Sequence, residues 1–202
     1  MNVVVVLGHP SANSYCAAIF QAVFDALKTQ HNVSAIRLAD ESFVTAMSSA
    51  ERRAYETDQP LISDETRRHA EFLSQAEALI FVYPTWWSGL PAQLKGWLDR
   101  VFVLGVAFRF NANNKIRPNL QNVRHIIGIS TYGSPWRYVK LVNDNGRRTL
   151  TRAIRASTGL RTRTMWCGLY ALDTCTAADR EKFITDTTDK IVRRLNKDVQ
   201  RL

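Results

Sequence analysis

Residues 3–7 read VVVVL, five apolar residues with no polar break. A strand with one wet face alternates apolar and polar side chains, so an unbroken β-branched run predicts a strand covered on both faces. Ala78 to Tyr83 (ALIFVY) repeats the signature, and Val123 to Ser130 reads as another strand. Val33 to Leu38 and the alternating Arg161 to Cys167 read as two further strands. Strands covered on both faces need helices above and below, and the intervening segments supply them. Ile19, Phe20, Val23, Phe24 and Leu27 recur at helical spacing behind Asn13 or Ser14 as N-cap. Ser63-Asp64-Glu65 opens a helix with acids where the macrodipole favours them. Pro91 suits a first turn, with Leu94, Trp97, Leu98, Val101 and Phe102 as the apolar stripe. A basic helix is expected over Gly146 to Ser157. Thr176 to Asp179 resembles a capping box, starting a helix with Phe183, Ile184, Ile191 and Leu195 inward. Ala39 to Pro60 reads as a long excursion with a short helix, and 103–122 as extended and then loop-like. Alternation of strand and helix predicts an α/β three-layer sandwich on a five-stranded parallel sheet, one domain over 1–202.

Composition removes several alternatives. No apolar run approaches the roughly 20 residues that span a bilayer. MNVVVVLGHP lacks a basic start and a small-residue cleavage site, so it reads as a strand and not as a signal peptide. Three widely spaced cysteines, Cys16, Cys167 and Cys175, argue against a disulfide framework and for a reducing cytoplasm. The net charge is +9, unevenly placed: 8 Lys+Arg face 11 Asp+Glu in residues 1–100, against 19 and 7 in 101–202. Nucleic acid is not the expected partner, because no stripe of basic residues interleaved with aromatics occurs. The basic half suits a phosphorylated cofactor, and it leaves association with an anionic membrane face open.

Parallel sheets bind ligands beyond the carboxyl ends of their strands, so three loops carry the functional question: GHPSANSY, YPTWWSG and STYGSPW. The first sets Ser11, Asn13 and Ser14 at a helix entrance, where free N–H groups accept a phosphate or where the same residues merely cap. The second places Trp86 and Trp87 beside Ser88 and Gly89. Either indole can plug the core, or the pair can wall a planar heterocycle. The third offers Thr131, Gly133 and Ser134. Neither a G-x-x-x-x-G-K-[ST] nor a G-x-G-x-x-G segment is present. His9, His31, His69 and His125 show no metal-ligand spacing. Cys16 lies at a helix start, which can lower a thiol pKa, but it reads more simply as a small residue facing the core.

Taken together, VVVVLGHPSANSY, ALIFVYPTWWSGLPAQLKGWLDRVF, GVAFRF and IIGISTYGSPWRY resemble, in order, the flavodoxin-like NAD(P)H:quinone oxidoreductase family. The likeness covers most of residues 1–140 and beyond 145 is architectural only. It implies a flavin across the ends of strands one, three and four. His9, Asn13, Ser14 and Tyr15 would meet its phosphate and ribityl chain, and Pro84, Thr85, Trp86 and Trp87 would run along the ring. Trp87 would also border the substrate slot. Thr131, Tyr132, Gly133 and Ser134 would touch the ring edge, and Tyr138 would stand near the flavin O2 as a catalytic group. Where the family's best-known members carry a histidine six residues after that tyrosine, this chain has Asp144; Arg137, Lys140 or Arg147 are the candidates to replace it.

The resemblance implies hydride transfer from NAD(P)H through flavin N5 to a quinone or similar acceptor, with FMN favoured over FAD on the modest chain length. It implies a homodimer, for which the apolar 102–110 segment is the expected surface. Rival readings are an electron-carrier flavodoxin, an ancillary subunit of a membrane transporter and an FMN azoreductase. The basic charge argues against the first.

Overall fold

In the computed structural model every residue is described except 41–42, 56, 58, 61–62, 160 and 200–202. Strands β1 (Asn2–Leu7), β2 (Asn32–Arg37), β3 (Ala78–Pro84), β6 (His125–Thr131) and β7 (Arg163–Leu169) form one parallel sheet in the order β2-β1-β3-β6-β7. Each pair is in continuous register, for example Val5 with both Ala35 and Ile80, and Val82 with Ile129. This is the flavodoxin-like order, and its direction reverses between β1 and β3.

The unbroken apolar runs have a simple cause. In β1, Val4 and Val6 face one core while Val3, Val5 and Leu7 face the other. Leu79, Phe81 and Tyr83 of β3 join the first, and Ala78, Ile80 and Val82 the second. Successive strand side chains point to opposite faces, so both phases of the alternation must be apolar.

Helices α1 (Tyr15–Leu27) and α8 (Ala177–Val199) cover the second face. Ser14 caps α1, its hydroxyl accepting from the Ala17 N–H at 3.1 Å. Thr176 and Asp179 close the expected capping box of α8, where Ile191 and Leu195 are fully buried and Phe183 and Ile184 pack at the margin. The first face is covered by α3 (Asp64–Gln75), capped by Ser63, and α4 (Ala92–Val101). Trp97 lies at the centre of that core with no exposed surface, and its indole N–H donates to His69 Nδ1 at 3.1 Å.

The 39–60 excursion contains the short α2 (Ser49–Ala54) and is anchored on α4. Glu51 and Arg100, both buried, form an ion pair at 2.6 Å. Gly96 lets the excursion approach: a Cβ there would stand 2.1 Å from the Thr45 carbonyl oxygen.

Two stretches differ from expectation. Residues 103–122 contain an antiparallel hairpin, β4 (Phe108–Phe110) with β5 (Ile116–Pro118). Phe102, Val103 and Ala107 are buried, Leu104, Val106 and Phe108 are half-buried, and Phe110 and, across the hairpin, Ile116 are exposed. The basic helix is one run in three parts: α6 (Asn145–Arg148), a π-helical turn (Thr149–Ile154) and α7 (Arg155–Thr158). Among the described residues no helix is long and apolar enough to cross a membrane.

Candidate functional site

The carboxyl ends of β1, β3 and β6 open onto one cavity of about 530 Å³. His9, Tyr15 and Cys16 form one wall; Pro84, Thr85, Trp86 and Trp87 form a second; Thr131, Gly133 and Ser134 form a third. Nine of the expected site residues thus converge on one place from three loops far apart in the chain. Leu172 and Asp173 complete the walls from a short 3₁₀ turn (Leu172–Thr174) after β7. Sequence reasoning missed that turn. The signal was available, since the loop after any parallel strand opens on the same edge.

The double tryptophan answers the question its loop raised. Gly89 N–H donates to the Trp86 carbonyl at 3.0 Å, closing a tight turn with Trp87 and Ser88 at its centre. Both central residues have positive φ, 48° and 57°. Such turns favour Asn and Gly, so a Trp-Ser pair there is strained. The turn is held from behind: Asn145 N–H donates to the Ser88 carbonyl at 3.2 Å. Gly146 admits this contact, because a Cβ on it would meet the Tyr83 hydroxyl at 3.0 Å and the Gly89 carbonyl carbon at 3.3 Å. Trp87 is entirely exposed, at 102%, which excludes the core role for it. Trp86 is half exposed and its ring centroid lies 5.8 Å from that of His9.

The floor is uncharged. Burial pushes the Cys16 thiol up to about 11, against a weaker opposing contact with Thr131 at 3.5 Å, so Cys16 stays protonated. Burial also holds His9 below the usual imidazole value, and its Nδ1 accepts the Ser11 N–H at 3.0 Å. Tyr15 donates to the Arg180 carbonyl at 2.7 Å, and burial raises its pKa to about 12. Thr85 N–H donates to the Thr131 carbonyl at 2.8 Å, locking the second loop to the third.

Four expected residues do not line the cavity. Asn13 is exposed in the first loop, and Ser14 is engaged as the α1 cap. Tyr132 is buried behind the third loop, where it stacks on Tyr170 at 4.6 Å and donates to the Asp144 carboxylate at 3.0 Å. Tyr138 stands half exposed on α5 (Trp136–Leu141), outside these walls. Asp144 is buried against Tyr132, and burial together with that carboxylate raises the phenol's pKa, so Tyr132 keeps its proton. Arg147 and Lys140 face a different cavity, and Arg137 is exposed on α5.

Comparison with known proteins places this geometry. Over 150 residues the chain is 27% identical to an NAD(P)H dehydrogenase (quinone) 1 from Cavia porcellus, covering 66% of this chain and 54% of that protein. The chain spans about half the length of the curated relatives it matches first. Among solved structures, Smu.1420 from Streptococcus mutans UA159 superposes with a TM-score of 0.81 at 25% identity, over 96% of this chain and all of that one (100%). An NAD(P)H:quinone oxidoreductase from Methanothermobacter marburgensis superposes with a TM-score of 0.79 over 96% and 98% of the two chains; at 22% identity it bears on the fold alone. A family model described as flavodoxin-like fold matches residues 1–192, and the chain belongs to that family.

Proposed function

We propose that this chain is a flavin-dependent NAD(P)H oxidoreductase that delivers two electrons to a quinone or a similar small acceptor. The observation that carries the reading is Trp87, a fully exposed indole on a strained turn at the rim of the strand-end cavity. Contacts within the chain hold the turn yet leave the Trp87 ring uncovered, and an exposed aromatic face beside a cavity suits stacking of a planar ligand. The fit of the remaining walls supports a flavin. The first turn of α1 offers N–H groups to a phosphate, and Pro84 to Trp86 form an elongated apolar side. Gly133 and Ser134 bring backbone close to a ring edge.

Flavin, when bound, supplies hydride acceptance at N5 and return of the electron pair to the acceptor; the protein's part is orientation and electrostatics. His9, neutral near pH 7, and Tyr15 would hold the phosphate and ribityl end without adding charge. Protonated Cys16 keeps the floor uncharged. Trp87 would flank the slot that nicotinamide and acceptor enter in turn. Asn13, Ser14 and Tyr132 would serve by holding the loops: Ser14 through the α1 cap, Tyr132 through Asp144 and Tyr170. Proton delivery is assigned to Tyr138, with Tyr138→Phe as its test. FMN is the favoured flavin. The family resemblance supports a homodimer, with the half-buried and exposed apolar residues of the 102–110 segment as its expected contact. NADPH should serve at least as well as NADH, given the basic second half of the chain.

The test is direct. Purified protein should be yellow, release FMN on denaturation, and oxidise NAD(P)H with a simple quinone. Colourless protein that takes up no added flavin and oxidises neither nucleotide would overturn the proposal. An azo dye in the same acceptor screen separates quinone from azo reduction.

A further inference from the structure

A second cavity, of about 550 Å³, lies on the far side of the Tyr132–Tyr170 stack. Its walls come from α5, the 145–158 helical run and β7. They carry Lys140, Arg147, Arg148, Arg152 and Arg155, with Asp144 as the one carboxylate. That carboxylate accepts the Tyr132 hydroxyl at 3.0 Å. Five cations therefore share one hollow with a single anion that is turned into the protein.

Elsewhere on the surface, several basic side chains pair with an acid three or four residues away. Lys28 pairs with Asp25, Arg67 with Asp64, Lys95 with Asp99, Lys182 with Asp186 and Arg193 with Asp189. Arg147, Arg148 and Arg152 have no carboxylate partner among the described residues. Arg148, Arg152 and Arg155 are spaced by four and then three residues, so they form one stripe along the run. Arg155 is oriented by donating Nε–H to the Thr162 carbonyl at 2.9 Å. Arg147 lies over the Trp166 ring at 5.9 Å, and Lys140 over Trp136 at 5.0 Å. Holding the like charges of Arg147, Arg148 and Arg152 together costs free energy, which a bound anion would offset. Guanidinium forks match phosphate oxygens in pairs, and several on one stripe suit several phosphates in a row.

We propose that this cavity binds a ligand bearing a run of phosphates, a nucleoside di- or triphosphate, with the tryptophan and tyrosine rings beside the base. The site is separate from the strand-end cavity and does not depend on flavin being its ligand.

The experiment is calorimetric titration of the full chain at low salt with three probes: ATP, inorganic tripolyphosphate and adenosine. ATP and tripolyphosphate should bind one per chain, ATP the tighter, and adenosine weakly. The double variant Arg148→Glu/Arg152→Glu, both exposed, should weaken ATP by at least about tenfold while melting like the parent. Arg193→Glu/Lys197→Glu on α8, the same change in net charge, should leave ATP binding intact. FMN affinity, measured alongside, should be unchanged in both variants; if FMN does not bind even the parent, the nucleotide result still stands or falls by itself. Failure of ATP to bind, equal weakening by the α8 control, or no weakening by the cavity variant would each overturn the proposal.

Discussion

Trp87 and Trp97 lie ten residues apart in one motif, yet one is entirely exposed and the other entirely buried. The difference is local. Trp97 occupies the inward phase of α4, packs edge-on against Phe81 and Phe102, and gives its N–H to His69. Trp87 occupies the centre of a left-handed turn, where the backbone directs the ring away from every core. An indole buried by periodicity stabilises the fold. An indole held out by a strained turn needs a reason outside the fold. The contrast predicts opposite mutational behaviour.

Trp97→Ala should have the largest effect, about 3–5 kcal/mol of lost stability, because it opens a cavity and leaves His69 Nδ1 without its donor. Chemical denaturation checks this, and a loss under about 1 kcal/mol would break the comparison on its buried side. On α2, Glu51→Gln should cost about 1.5–3 kcal/mol through its weakened bond to Arg100 of α4. Burial opposes the charged Glu51, but the Ser48 bonds and the Arg100 guanidinium outweigh it and hold its pKa below the usual 4.5. The lowered folded pKa fixes the sign. The stabilisation is present above pH 4.5 and is lost as pH falls through the depressed value. Urea midpoints of parent and variant should therefore converge in acid; a constant gap would show that the charge is not what matters.

Trp87→Ala should shift stability by no more than about 0.5 kcal/mol while changing acceptor kcat/KM by roughly tenfold to a hundredfold, about 1.4–2.8 kcal/mol. A large fall in melting temperature with unaltered kinetics would reverse the comparison. Ser88→Gly should give the smallest effect, a gain of about 1 kcal/mol from relief of the left-handed conformation, read as a rise of about 2–4 °C in Tm.

The same contrast explains what could be read before the structure. The five strands, the α1 and α8 caps and the Trp97 stripe follow from local periodicity, and their boundaries shift by only a few residues. The three loops at the strand ends also converge as their order suggests, because parallel topology brings them to one edge. What escaped depends on distant partners. The π-helical turn has no local signature. The burial of Asp144 follows from its bond with Tyr132, a partner that its own position does not announce. Leu172 and Asp173 join the cavity only because β7 ends beside β6.

The central claim is that the Trp87 rim and the three strand-end loops form a flavin site. The most direct test is titration of flavin-stripped protein with FMN, followed by flavin fluorescence, in the parent and in Ser134→Trp, which narrows the cavity from its third wall. The account predicts saturable quenching at one FMN per chain in the parent and its loss in Ser134→Trp with the melting temperature retained. No quenching in the parent, or equal binding in the variant, would contradict it.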